Sequence, residues 1–208
     1  IQILPVNDTI ATHTWTDSYP YAAISVFALH PIYLNLPAMG RLKDKKEMDS
    51  FIRAGKKLNN EPDLDYQAVM ELKSKYFKKL YDQERNKFLE DPEYKRFFKE
   101  NRDWLEQYAA FSYLRDQFET PDFSEWQEYA EYDQKKIDKL VDPKNKIFDD
   151  IAVHYFIQYH LHRQLSEVVE YARKHSVILK GDLPIGIYRL SVDAWVARRL
   201  YHMDKQAG

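Results

Sequence analysis

Residues 176–184 read Ser-Val-Ile-Leu-Lys-Gly-Asp-Leu-Pro, and this stretch decides the fold class. Its apolar run, 177–179, is typical of a short strand covered on both faces of a parallel sheet, and Asp182 follows the end of that strand. The first six residues, Ile-Gln-Ile-Leu-Pro-Val, have the same character. A helical pattern over 144–174 precedes the second strand, so strand, helix and strand predict a βα unit of an α/β protein.

The stretch between the two predicted strands is far longer than an ordinary crossover. Charged helices are predicted at 43–58 and 65–90, and Asp91-Pro92 has the residues of a helix N-cap and first turn. Asn101 is predicted to cap the helix after that, and short helices are expected within 121–142. We therefore expect a mostly helical subdomain inserted over one face of the sheet.

Composition excludes several classes of protein. The chain has 208 residues, a net charge of −2 and no cysteine. It therefore shows no global positive charge for nucleic acid, and it cannot form a disulfide, a zinc ribbon or a thiol nucleophile. No apolar run approaches the roughly 18 residues of a membrane span. With 16 tyrosines and 4 tryptophans, the aromatic content fits either a core or sugar binding, and the core is favoured.

Four groups of residues invite a functional interpretation, and each has a structural alternative. Asp182, at a strand end, is equally a candidate for chemistry and for capping a turn. Asn7 and Asp8 follow the first strand and could bind a hydroxyl, although turn formation is favoured. The aromatic and polar loop 15–21 suits a pyranose or a packed loop. His154, Gln158 and His162 share a helix face, and hydrogen bonding across a helix–sheet interface is favoured there over metal binding.

Several stretches at both ends of the chain, and some on the last long helix, resemble glycoside hydrolase family 77. They are similar to the branch that contains the plant cytosolic disproportionating enzyme. The stretches are Ile-Leu-Pro-Val-Asn-Asp at 3–8, Asp-Ser-Tyr-Pro-Tyr at 17–21, Ser-Val-Phe-Ala-Leu-His-Pro at 25–31, Gln-Tyr-His-Leu-His at 158–162, Gln-Leu-Ser at 164–166, Lys-Gly-Asp-Leu-Pro-Ile-Gly at 180–186 and Ser-Val-Asp-Ala-Trp at 191–195.

The resemblance implies a partial (β/α)8 barrel of two strands with a large, mostly helical insertion. Residues 1–41 would hold one barrel strand and an active-site loop, 42–142 the insertion, and 143–208 a barrel helix, a strand and the start of the next loop. The implied activity is 4-α-glucanotransferase, a retaining double displacement with an Asp nucleophile and a Glu acid/base. Both catalytic groups are expected beyond Gly208, so an internal piece of the enzyme, inactive alone, is expected here.

The residues that the resemblance assigns to substrate binding are Tyr21, Asp182, Asp193 and Trp195. The sequence departs from the family pattern at two places. Tyr19 stands where the commoner branch of the family has Ser, and Leu29-His30 stand where the family has Gly-Asn. The implied partners are an α-1,4-glucan or maltooligosaccharide and the rest of its own polypeptide. No metal, cofactor, nucleic acid or membrane is predicted, and the expected location is cytoplasmic. The alternatives are a helical protein-interaction module and a piece of a related α-glucan hydrolase.

Overall fold

The computed structural model describes residues 1–184 and 186–203, and the described chain is mostly helical. Ile185 of the matched stretch 180–186, and the last part of the predicted region 143–208, lie outside these residues. The described residues also contain five 3-10 turns, at Trp15–Ser18, Pro31–Tyr33, Phe123–Glu125, Gln127–Tyr129 and Arg198–Leu200. In chain order the α-helices are α1 (Leu36–Met39), α2 (Lys45–Asn59), α3 (Tyr66–Glu90), α4 (Pro92–Phe118), α5 (Gln134–Leu140), α6 (Phe148–Lys174) and α7 (Val192–Val196).

Aspartate caps set the starts of the long helices. The Asp65 carboxylate accepts from the Ala68 amide at 3.0 Å, and α3 begins there. Asp91 accepts from the amides of Glu93 at 2.7 Å and Tyr94 at 3.2 Å, with a proline in the first turn of α4. These bonds satisfy amides that have no partner inside the helix. The predicted Asp91-Pro92 helix start is confirmed.

The predicted break at Asn101 is wrong, because α4 continues through this residue. The Asn101 side chain donates to the Phe97 carbonyl oxygen at 2.8 Å and accepts from the Trp104 indole nitrogen at 3.0 Å. Its side chain is thus hydrogen-bonded to groups of the same helix. At a helix start it would instead accept from a backbone amide that has no partner. The region 121–142 does contain short elements, two 3-10 turns and α5, as predicted.

One hydrophobic core runs through the described chain, centred on α4 where it packs against α6. α3 lies across the same pair, and α7 closes one end against α4. Many aromatic side chains belong to this core, which confirms the favoured interpretation of the aromatic content. The most completely buried rings are Tyr76, Phe77, Tyr81, Phe111, Trp126, Tyr155 and Trp195.

The two predicted strands lie side by side, but their pairing is very short. Residues Gln2 and Lys180 form one isolated parallel bridge, with Ile3 N donating to Lys180 O at 3.0 Å and Lys180 N donating to Ile1 O at 2.8 Å. No strand is formed within residues 1–184 and 186–203, so the two-strand barrel portion is not confirmed. The expected burial on both faces is wrong, since the Ile178 side chain is 81 % exposed. A lone pair of short segments has no neighbouring strand to extend the ladder or cover its side chains.

No helix in the described part of the chain has both the length and the apolar character needed to cross a membrane.

Candidate functional site

The chain after the first predicted strand folds back beside it. Asn7 and Leu29 form an isolated antiparallel bridge, in which Asp8 N donates to Ala28 O at 2.8 Å and His30 N donates to Val6 O at 2.9 Å. Segment 24–30 therefore lies against segment 6–8. We call residues 9–30, which include the aromatic stretch 15–21 and segment 24–30, the Tyr21 loop.

Asn7 and Asp8 organise this loop. The Asn7 amide donates to the carbonyl oxygens of Ser25 at 3.1 Å and Val26 at 2.9 Å. The buried Asp8 carboxylate accepts from Ile10 N at 3.0 Å and from the Tyr108 hydroxyl at 2.6 Å. These bonds tie the Asn7 amide nitrogen and both Asp8 oxygens to the protein itself, so the structure supports the favoured turn-forming interpretation.

Tyr21 and Asp182 come together at the edge of the pairing. The Tyr21 hydroxyl donates to Asp182 Oδ2 at 2.9 Å, although the two residues are 161 positions apart in the sequence. The other carboxylate oxygen accepts from Leu183 N at 3.0 Å, so Asp182 binds both the tyrosine and the backbone of the next residue. The Tyr21 side chain remains 39 % exposed. Its hydrogen bond to Asp182 raises the pKa of the Tyr21 phenol, which keeps the proton on the tyrosine.

A second exposed ring stands beside this pair. The ring centroids of Tyr19 and Tyr21 are 5.7 Å apart, and the rings are tilted by 53°. In the sequence, Tyr19 is a departure from the family pattern and also belongs to the aromatic and polar loop 15–21. Its position two residues before Tyr21, on the same exposed loop, was the available signal that both rings could face one ligand.

The Asp193 side chain holds the same loop by binding one of the loop's backbone amides. Asp193 Oδ2 accepts from Val26 N at 3.0 Å, and the neighbouring Val192 N donates to Ile24 O at 2.8 Å. Ser191 caps α7 by accepting from Ala194 N at 3.1 Å, which fixes the direction of the helix start. Burial raises the pKa of the Asp193 carboxyl. The structure therefore gives Asp193 a contact with the Tyr21 loop, with one carboxylate oxygen committed to it.

Trp195 lies away from the Tyr21–Asp182 pair, in the core. Its side chain is 2 % exposed, and its indole nitrogen donates to the Tyr129 carbonyl oxygen at 2.9 Å. The ring packs against Phe111, Trp126 and Tyr132. A side chain with no exposed face has no surface for a sugar, so the expected substrate contact is corrected to a packing role.

The substituted residue His30 also faces inward. Its Nδ1 accepts from Ile32 N at 3.0 Å, and its Nε2 pairs with the Tyr66 hydroxyl at 2.9 Å. Burial lowers the pKa of this imidazole. His30 therefore caps the 3-10 turn Pro31–Tyr33 and links it to Tyr66, the first residue of α3.

A separate cavity of about 940 Å³ opens between the loop and helices α3, α4 and α6. On its wall, Asp116 contacts both His13, at 2.8 Å, and Arg115, at 2.7 Å. Arg115 also donates to the Ile10 carbonyl oxygen at 2.5 Å. Neither Tyr21 nor Asp182 lines this cavity. Among residues 1–184 and 186–203, no three metal-ligating side chains converge.

Comparison with known proteins agrees with the motifs that meet here. The family model described as 4-alpha-glucanotransferase matches residues 1–208. The chain is 46 % identical to 4-alpha-glucanotransferase DPE2 of Oryza sativa subsp. japonica and 29 % identical to the 4-alpha-glucanotransferase of Chlamydia trachomatis serovar D, in each case along its whole length. It spans 22 % of the rice protein and 38 % of the chlamydial one.

A solved structure has a similar fold. Amylomaltase from Streptococcus agalactiae in complex with acarbose superposes with a TM-score of 0.72 at 22 % identity, over 96 % of this chain and 39 % of that one. The fold likeness and the full-length match agree with each other. The chain belongs to glycoside hydrolase family 77, the 4-alpha-glucanotransferases.

Proposed function

We propose that this chain is part of a 4-α-glucanotransferase, which moves α-1,4-glucan segments between maltooligosaccharides or polysaccharides by a retaining double displacement. The observation that carries the proposal is the 2.9 Å hydrogen bond from Tyr21 to Asp182. It joins the two stretches that resemble the family most at opposite ends of the chain. In this proposal the nucleophile and the acid/base come from the polypeptide outside this chain.

The chemistry of the pair suits a pyranose. An exposed tyrosine ring can cover the apolar face of a sugar, and a carboxylate accepts strong hydrogen bonds from its hydroxyls. One Asp182 oxygen accepts from the Tyr21 hydroxyl and the other from the Leu183 amide, so its carboxylate is held in a fixed direction before substrate arrives. Preorganised groups of this kind act on the transition state without first having to reorient. We assign Tyr21 and Asp182 to substrate, and Asp193 to support of the loop.

The barrel assignment belongs to this proposal. The parallel bridge between Gln2 and Lys180 supports segments 1–6 and 177–181 as neighbouring strands of a (β/α)8 barrel. The exposed apolar side chains of Ile1, Ile178 and Leu183 support a cover supplied by the rest of the polypeptide. The proposal also includes the division of the chain after residues 41 and 142 and a cytoplasmic location.

The test is incubation of the full-length protein with maltotriose, followed by chromatography and an assay of reducing ends. Transfer breaks one glycosidic bond and forms another, so longer and shorter oligomers should appear with no net gain of reducing ends. A net gain would favour the hydrolase alternative. Absence of any new product would overturn the proposal and favour the interaction module. The 208-residue chain alone should give no product, and activity from it would contradict the expected location of the nucleophile.

A further inference from the structure

Gln158 binds both backbone groups of one residue in the Tyr21 loop. It lies in the middle of α6 and is 1 % exposed. Its Oε1 accepts from Leu29 N at 2.9 Å, and its Nε2 donates to Leu29 O at 2.8 Å. A single side chain thereby completes the hydrogen bonding of Leu29, as a neighbouring strand would, and confirms the expected role of a polar residue in this buried stripe.

The pairing geometry explains why Leu29 needs such a partner. In the antiparallel bridge with Asn7, the bonds to segment 6–8 come from Ala28 O and His30 N. The N–H and C=O of the residue between them point to the opposite side. That side is covered by α6, where water is excluded from the Gln158 side chain. The glutamine amide supplies one donor and one acceptor, at the spacing that a backbone edge requires.

Leu29 in turn fixes the chain that leads to Tyr21. Ile24 N donates to Asp8 O at 2.8 Å, and Ser25 Oγ accepts from Phe27 N at 3.2 Å and Ala28 N at 3.1 Å. Segment 24–29 is therefore held at each end and closed by its own turn. A change of register at Leu29 would be passed along this segment to the tyrosine.

We propose that Gln158 is a positioning residue for the Tyr21–Asp182 pair, acting through Leu29 and segment 24–29. The inference rests on the proposed function, because it assigns Gln158 a part in that same site. Gln158 touches no substrate in this proposal. Its amide also lies 3.4 Å from the Tyr108 hydroxyl, which donates to Asp8, so α4 and α6 hold both sides of the loop base.

The same helix offers a matched control. Gln164 Oε1 accepts from Asn35 N at 2.9 Å, and its Nε2 donates to Asn35 O at 3.1 Å. Both partners are six residues further along than in the Gln158 pair. Asn35 is exposed and follows the 3-10 turn Pro31–Tyr33, which separates it from the Tyr21 loop. An effect common to all glutamine–backbone pairs would appear at both positions.

The experiment compares Gln158→Met with Gln164→Met in the full-length protein, with maltotriose as substrate. Methionine keeps the length of glutamine and removes both hydrogen bonds. We expect kcat to fall about tenfold to a hundredfold for Gln158→Met, since small displacements of positioned groups cost this much, and to stay within about twofold for Gln164→Met. Amide hydrogen exchange over residues 21–30 should quicken only in the Gln158 variant.

The outcomes separate this inference from the proposed function. An inactive wild-type protein removes the function, and the exchange measurement still decides whether Gln158 holds the loop. Equal loss of kcat in both variants, or a lowered Tm with unchanged kcat in Gln158→Met, overturns the inference. If Gln158→Met fails to fold, Gln158→Asn, whose amide is one methylene too short to keep both bonds to Leu29, takes its place. Reduced kcat in that folded variant supports the role, and wild-type kcat overturns it.

Discussion

The Asp182 carboxylate makes two contacts of different range. Its Oδ1 accepts from the amide of the next residue, Leu183, and its Oδ2 accepts from the Tyr21 hydroxyl. The local contact orients the carboxylate, and the second contact ties the two ends of the chain together. Loss of charge at Asp182 should therefore affect catalysis more than folding.

Asp182→Asn in the full-length protein should lower kcat by about a hundredfold, the order found when one preorganised transition-state hydrogen bond is lost. The variant Tyr21→Phe, which keeps the ring, should lose less activity than Tyr21→Ala. The Asp182→Asn and Tyr21→Phe effects should not multiply, because the first weakens the contact that the second removes. Kinetics and Tm are measured on one preparation. A destabilised but fully active Asp182→Asn would leave only the turn-capping role.

His160 is a buried titratable residue that should make stability depend on pH. Burial lowers the pKa of its imidazole from 6.5 to about 4. Between these values the unfolded chain binds the proton more strongly, so the free energy of unfolding should fall as the pH drops from 6.5 towards 4. The contribution of His160 is fully present above pH 6.5 and amounts to about 3 kcal/mol at most.

Urea denaturation at pH 7 and pH 5 measures this slope. His160→Leu should lose less stability between the two pH values than the wild type does, because its side chain cannot take up a proton. His162→Leu, at an exposed position of the same helix, should keep the wild-type difference. An unchanged slope in His160→Leu would show that other groups account for the pH dependence.

At the scale of elements, Asp91 links the two longest helices of the predicted insertion. Its backbone N–H donates to Phe88 O at 3.1 Å at the end of α3, while its carboxylate caps the start of α4. The turn between the helices has no other residue. Packing of α3 and α4 against α6 therefore depends on the conformation of this one position.

Asp91→Ala should lower the free energy of unfolding by about 1 kcal/mol, as for the loss of an N-cap carboxylate. The neighbouring variant Lys95→Ala removes an ion pair with Glu90 that is exposed on both sides, and it should change stability by less than about 0.5 kcal/mol. Chemical denaturation of both variants compares them. If both variants change the free energy of unfolding by the same small amount, water satisfies the amides of the first turn as well as Asp91 does.

Over the whole molecule, the core connects the Tyr21 loop with α7 at the far end of the sequence. Trp195 belongs to this connection, since its ring packs among aromatic side chains from α4 and from the turns before α5. Its place in the family-like stretch 191–195 therefore reflects packing that supports Asp193. Loss of packing in this part of the core should therefore also loosen the loop that Asp193 binds.

Trp195→Ala should destabilise the protein by about 3–5 kcal/mol, the cost of emptying a large buried site. Trp195→Phe should lower Tm and leave the KM for maltotriose unchanged, because the ring does not reach a substrate. Trp15→Phe, at a position that is 68 % exposed, serves as the stability control. A raised KM with unchanged Tm in Trp195→Phe would restore the substrate-binding interpretation.

Local patterns along the chain determined much of this protein. The helices α2, α3 and α6 follow from charge and apolar periodicity, and the Asp91-Pro92 start of α4 follows from cap chemistry that acts within four residues. The family follows from short stretches whose residues can be compared directly. Tyr21 and Asp182 were named from those stretches, and the structure brings them within hydrogen-bond distance.

Only the tertiary structure decided what depends on distant residues. The partner of Gln158, the burial of Trp195 and the single bridge between Gln2 and Lys180 each join positions more than sixty residues apart. A strand needs neighbours to supply its ladder and cover its faces, so an apolar run alone did not establish one. Periodicity reports which face of an element is apolar, whereas contacts across the core set the partner that each polar side chain finds.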